Sequence, residues 1–318
     1  MQDRIRSELK GYVDTIWENC KQFKHETEKT AYFMEDLYAY QELYDLSFDK
    51  GMDKRFKWSG EDYGLIEEDH RWINFASGAF PVDDTRKKEL RLFEYARPKF
   101  KAVFNALRYC DEFWFFTVDT KAIGYVEYNY IGSNLPPKID LTQIYAFGVT
   151  RLNWFDIVNP VNNPERKGVW SPFPFVELYH QWCFTYHVPV YVDGKFKGAM
   201  VPHLKIDYVL NDSVHKSKET MMLIHDDCTL MGMNAAARKE FKEVENYEYR
   251  PWDDHSKKIN YVRHDLNLLN NKNPDIVRLV DATKWMREFE ASVNGKKYIV
   301  MKESIPEIKC NLVACIDK

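Results

Sequence analysis

The sequence predicts an α/β (α+β) protein. One long N-terminal helix leads into two tandem units, each a mainly antiparallel sheet flanked by helices. Three observations carry this. Apolar residues recur at three- and four-residue steps over roughly the first 40 positions. Later the period changes to two around short turns, most clearly at Asp193-Gly194 and Asn294-Gly295. The order hairpin, helical crossover, hairpin then occurs twice.

In the first element Ile5, Leu9, Tyr12, Val13, Ile16, Cys20 and Phe23 form one stripe, continued by Met34, Leu37 and Tyr44. Gly11 is the only glycine before Gly51, and no proline precedes Pro81. A helix of ~40 residues would be ~60 Å long, more than one small domain is wide. Residues 51–81 are aromatic and turn-rich, with short strand-like pieces. A second amphipathic helix is predicted over about 85–109, with Leu90, Phe93, Phe100, Val103, Phe104 and Leu107 on its apolar side.

"DEFWFFTVDTKAIGYVEYNY" then reads as strand, turn, strand, and "WCFTYHVPVYVDGKFKGAMVPHL" as a hairpin at Asp193-Gly194. A short helical piece and loops lie between them, and "KIDYVLNDSV" reads as a short helix. "ETMMLIHDDCTLMGMN" is another strand-turn-strand. "NPDIVRLVDATKWMREFEAS" is predicted helical, capped at Asn273-Pro274. "SVNGKKYIVMKESIPEIKCNLVACID" closes the chain with hairpin strands. The expected division is 1–84 for the helix and connecting segment, 85–217 for the first unit and 218–318 for the second.

With 45% hydrophobic and 30% charged residues, the chain can bury a core and is not a disordered tail. A net charge of −4 without a basic block disfavours nucleic acid as a partner. No window reaches ~18 uninterrupted apolar residues, the length needed to span a bilayer. The six cysteines form no C-x-x-C pair, which argues against a zinc ribbon or dithiol centre and for buried apolar roles. The glycines build neither common phosphate-binding loop, and the chain has no G-x-S-x-G elbow and no H-E-x-x-H. No cofactor is expected. His180 and His187 are seven apart, on opposite faces of a strand, so they cannot share an ion. His225-Asp226-Asp227 sits where a hairpin turns, a place that favours Asp for backbone reasons. A metal-dependent soluble hydrolase built on those three residues is one alternative reading. A structural module without a ligand is another.

The stretch "GVWSPFPFVELYHQWCFTYHVPVYVDGKFKGAM" resembles the double Cache (PDC-type, PAS-like) sensor signature. Its elements stand in order: Trp170-Ser171-Pro172, Val188-Pro189-Val190, Asp193-Gly194 and Gly198-Ala199-Met200. The long helix, the two units and the final hairpin match the same architecture, and the likeness covers most of the chain. The resemblance implies a non-catalytic, extracytoplasmic sensor region of a bacterial membrane receptor, periplasmic or extracellular. Such a region is connected to the membrane through flanking segments and serves a histidine kinase, diguanylate cyclase or chemoreceptor output. It also implies a small-molecule site in the distal unit, signalling through the N-terminal helix and a homodimer along that helix.

Transferred residue by residue, the resemblance makes Tyr145, Arg151, Trp154, Phe155, Trp170, Phe173, Phe175, Glu177 and His203 the candidate ligand-binding set. The departures matter. "RLNWF" carries one extra residue between Arg151 and Trp154, and Phe155 stands where Tyr is usual. Phe175 replaces a Tyr and Glu177 an Asp. His203 occupies a position where an Asp holds the amine of amino-acid ligands. A neutral or protonated imidazole gives an ammonium no anionic partner. Arg151 still suits a carboxylate or phosphate. The expected ligand is therefore a small organic acid or another non-amino-acid molecule. Each candidate also has a plain structural reading: the aromatics as core, Arg151 and Glu177 as solvated charges, and His203 as a satisfied buried histidine.

Overall fold

The computed structural model describes residues 2–47, 50–59, 62–66, 72–77, 81–107, 110–119, 121–126, 153–170, 175–176, 181–205, 210, 214, 216–241 and 267–318. Helix α1, Gln2–Ala39, has 38 residues, which makes it about 57 Å long. Its stripe from Ile5 through Tyr38 is buried. Thr27 and Thr30 sit on that face because each hydroxyl donates to its own helix, to Phe23 O and Glu26 O, both at 2.8 Å.

After α2, Lys50–Arg55, the strands β1 (Lys57–Ser59), β2 (Asp62–Ile66) and β3 (Trp72–Ser77) form an antiparallel meander. The segment expected to connect helix and first unit thus contributes three strands to the first sheet. Tyr63, Leu65, Trp72 and Ala76 provide the reason, since all are buried in the main core. Helix α3, Asp84–Ala106, starts at Asp83, whose carboxylate accepts from the Arg86 amide at 2.9 Å.

There follow β4 (Cys110–Thr117), β5 (Lys121–Val126), α4 (Asn153–Val158), β6 (Val169–Trp170), β7 (Phe175–Val176), β8 (Gln181–Val192) and β9 (Lys195–Lys205). The second group is β10 (Thr220–His225), β11 (Leu230–Met233), α5 (Ala235–Glu240), α6 (Pro274–Thr283), β12 (Glu288–Val293), β13 (Lys296–Ile305) and β14 (Cys310–Asp317). Among the described residues the first sheet runs β1-β2-β3-β5-β4-β9-β8-β6, with β7 also on β8, and the second runs β11-β10-β14-β13-β12. Both therefore repeat one order: an opening hairpin, the last strand beside it, then the strands that precede the last. This is the tandem PAS-like architecture.

The turns are local chemistry. Asp193 and Gly194 have φ of 49° and 73°, and Asn294 and Gly295 have 54° and 79°. Two successive left-handed residues make the tight hairpin turn for which Asp-Gly and Asn-Gly are favoured. The predicted helix over "NPDIVRLVDATKWMREFEAS" is half right. Asn273 caps α6, but α6 ends at Thr283 and Glu288–Val293 is strand β12. Continued helix would gain no burial from Trp285, which is 83% exposed, whereas residues 288–293 alternate outward and inward with the strand period.

One helix serves both sheets. The main core joins α1 to Phe184, Met200 and Leu204 of the first sheet and to Met221, Leu223, Met301 and Ile316 of the second. Among the described residues no helix is long and apolar enough to cross a membrane.

Candidate functional site

The first sheet has two unlike faces. On one, Phe113, Phe115, Phe184, Tyr186, Val188, Met200 and Leu204 pack into the core that contains α1 and α3. The alternate residues of the same strands point the other way. There Trp114, Ala199 and Val201 form a smaller cluster with Val158 of α4. This outer face carries the candidate site.

Register builds it. Glu112 on β4 pairs with His203 on β9, and His203 pairs with Thr185 on β8. Two residues further along β8 stands His187. Glu112 is 1% exposed, Thr185 6% and His187 3%, so polar groups are buried on this face. The Trp114 indole N–H donates to Glu112 Oε2 at 2.9 Å. His203 Nδ1 lies 3.1 Å from the same oxygen. Trp114 can hold that pose because Gly124 is beneath it: a Cβ there would lie 2.2 Å from the indole Cε3. Thr185 Oγ1 and His187 Nε2 are 2.9 Å apart. Burial pushes the pKa of His187 down to about 3, and the neighbouring His203 adds to the effect. His187 is therefore neutral, and its Nδ1 has no partner among the described residues.

The candidates from sequence divide three ways. His203 stands in this cluster. Phe155 lies on the same face, half-buried, its ring 5.8 Å from that of Phe196. Trp170 is a correction. It pairs with Tyr186 across β6 and β8, and directly paired residues share a face. Its ring stacks on Phe23 of α1 at 6.0 Å and lies 4.8 Å from Tyr186. Trp170 is helix-facing core, on the opposite side of the sheet from His203. Tyr145, Arg151, Phe173 and Glu177 lie outside the described residues, as do the side chains of Trp154 on α4 and Phe175 on β7. Glu112, Trp114 and Thr185 escaped the sequence reading, and His187 was weighed there only as a metal ligand and set aside. The available signal was the two-residue spacing of Glu112 and Trp114 in "DEFWFF", acidic residues running into an aromatic strand.

His225, Asp226 and Asp227 form a hairpin turn. His225 Nδ1 is 2.9 Å from Asp227 Oδ1, Asp227 accepts from the Thr229 amide at 2.9 Å, and Asp226 accepts from Asn311 at 2.8 Å. Among the described residues no three metal-ligating side chains come together.

The helix face opposite is tied to α1 by polar bonds. The Tyr186 hydroxyl donates to Glu28 Oε1 at 2.7 Å, and the Tyr191 amide donates to Glu35 Oε1 at 2.8 Å. Along β8, Thr185 and His187 face the site while Tyr186 between them faces α1.

The backbone matches solved sensory domains along nearly its whole length. The Campylobacter jejuni chemoreceptor Tlp3 sensory domain with isoleucine bound superposes with a TM-score of 0.52 at 13% identity, over 98% of this chain and 90% of that one. The same domain in a second structure gives 0.52 at 14%, over 98% and 91%. Its complex with L-valine gives 0.51 at 13%, over 98% and 90%. No protein-family model matches the sequence, and a search of curated proteins found no match. The likeness establishes the fold. The chain has the fold of these chemoreceptor sensory domains.

Proposed function

We propose that this chain is the extracytoplasmic ligand-sensing region of a bacterial membrane receptor. It is non-catalytic itself and is coupled to a kinase, cyclase or chemotaxis output. The distal unit, about 85–217, holds a small polar molecule on the outer face of its sheet, and the proximal unit, about 218–318, passes the response on. The single observation that supports this most is the set of buried polar groups on that face: Glu112, His203, Thr185 and His187. A sheet face closed only by its own protein is normally apolar or has its polar groups satisfied. The Tlp3 domain of the same fold binds isoleucine and valine.

Signalling runs through α1. A guest that contacts β8 from the outer face acts one residue away from Tyr186, which bonds Glu28 on α1. It shifts the equilibrium only by its difference in affinity for two arrangements of that contact. A homodimer along α1 belongs to the same reading.

A thermal-shift screen of small polar metabolites tests it, with histidine-imidazole NMR to locate each hit. At least one compound is expected to raise the melting temperature and move the His187 and His203 signals. Hits that bind only elsewhere on the molecule contradict the reading.

A further inference from the structure

Between α4 and β6 the chain crosses from one face of the first sheet to the other. Val158, the last residue of α4, is fully buried on the outer face with Trp114, Ala199 and Val201. Trp170, at the end of β6, stacks on Phe23 of α1 on the helix face. The residues between, 159–168, are held by their own side chains. The Asn159 amide continues the α4 bonding to Phe155 O at 2.8 Å, and its Oδ1 accepts from the amides of Val161 and Asn162 at 2.9 and 3.1 Å. Asn163, 7% exposed, grips Lys167 twice: Nδ2 donates to its carbonyl at 2.7 Å, and Oδ1 accepts from its amide at 3.3 Å. Such bonds take the place of regular secondary structure and tie the segment to α4.

The far end of the segment lies over two polar contacts between β8 and α1. At Gly168 a Cβ would lie 2.2 Å from the Tyr186 hydroxyl, the group that donates to Glu28. The Arg166 guanidinium lies 4.2 Å from the centre of the Tyr191 ring, and the Tyr191 amide donates to Glu35. Burial pushes the Glu35 carboxyl up, and the Arg166 charge is among the groups that pull it back. From Trp170 to Gly168 to Arg166 the contacts thus step along α1 from Phe23 to Glu28 to Glu35. Arg166 has a φ of 56°. Glycine takes this left-handed backbone without strain, and Asn takes it more readily than most residues. Strain that a glycine would remove points to a role for the side chain.

We propose that residues 159–168 form a strap that couples the outer face of the first sheet to α1, with the Arg166 guanidinium as its clasp on the Tyr191–Glu35 contact. A displacement of α4 then reaches α1 at Glu28 and Glu35 around the β6 edge of the sheet, without passing through its strands. The use of this route, to report a guest on the outer face, rests on the sensing role above. The coupling itself is measured without a guest.

The experiment is hydrogen–deuterium exchange of the full chain, read by mass spectrometry, for the wild type and two variants at opposite ends of the strap. Arg166→Asn removes the cation and keeps a residue suited to left-handed backbone. Val158→Ala loosens the strap where it leaves the outer face. Each is expected to raise exchange by roughly threefold or more in α4 and in the α1 peptide that contains Glu28 and Glu35, while peptides of β12, β13 and β14 keep their wild-type rates. If Val158→Ala does not fold, Arg166→Asn, at an exposed side chain, still decides. Wild-type exchange in the α1 peptide of Arg166→Asn would overturn the coupling. So would a rise spread evenly over both sheets, which is general destabilisation. Failure of the sensing role reads differently: compounds from the metabolite screen bind only elsewhere, while these exchange responses stand.

Discussion

Glu112 and His203 meet across β4 and β9 with 3.1 Å between Oε2 and Nδ1, on the sheet face turned away from α1. The two residues are 91 positions apart in sequence, and antiparallel register alone brings them together. Neither reads as a site without the other. Together with Trp114 they hold a carboxylate in a buried, fixed pose. Removing His203 takes away one of the two contacts on Glu112 Oε2 while the Trp114 donor stays, a loss of about 1–3 kcal/mol for a buried polar group. His203→Leu is expected to lower urea-unfolding stability by that order. The double variant Glu112→Leu/His203→Leu should lose less than the sum of the singles, with a coupling of at least about 1 kcal/mol. A coupling near zero would mean the contact is incidental.

A second buried charge holds the end of α1. Lys121 is 1% exposed and is held between Glu89 of α3 and Asp119, while the Tyr38 hydroxyl donates to Glu89. Burial drives the Tyr38 hydroxyl pKa well up, and the neighbouring Glu89 adds to it, so this is a neutral donor. Lys121→Met removes the buried ammonium that both carboxylates hold and leaves them Arg86 as the neighbouring cation. The expected cost is about 3–5 kcal/mol at neutral pH, read by urea denaturation. A change within about 0.5 kcal/mol, as at an ordinary surface site, contradicts this account.

Asp227 gives a pH signature. Burial pushes its carboxyl up, but the His225 and Thr229 hydrogen bonds prevail and hold it at about 2. A depressed folded pKa contributes stability above the unfolded value, roughly 3.9, that is lost as pH falls toward the folded one. Between pH 4 and 2 the wild type should therefore lose stability more steeply than Asp227→Asn. Equal slopes in urea unfolding across that range would remove the turn as a source of acid sensitivity.

The thiols make a further check. Cys20, Cys110, Cys228, Cys310 and Cys315 are all buried thiols outside any disulfide. Burial pushes Cys20 and Cys315 up to about 12, and Glu307 and Glu240 respectively add to it. Thiolate is the reactive form. In a Cys183→Ser background, an aromatic disulfide reagent should label none of the five in the native state within minutes and all five in denaturant. Rapid native labelling would show that this core opens.

The contrast between what sequence showed and what it hid is physical. The hairpins at Asp193-Gly194 and Asn294-Gly295 were legible because left-handed backbone is a property of two adjacent residues. The α1 stripe was legible because its period is local. Strand β12 was not, since Trp285, Met286 and Phe289 read equally well as a continuing helical stripe until the absence of burial at Trp285 decides. His203 was found by counting from Gly198. Glu112 could not be found that way, since its partner is set by strand pairing. Trp170 failed for the same reason: the side to which β6 turns its rings follows from pairing with Tyr186.

The most direct measurement is a crystal structure of the chain with the most stabilising compound from the metabolite screen. The account predicts that compound on the outer face of the first sheet, with a polar atom within hydrogen-bond distance of Glu112 or His187. An outer face filled by the protein's own side chains, with the compound bound elsewhere, would contradict it.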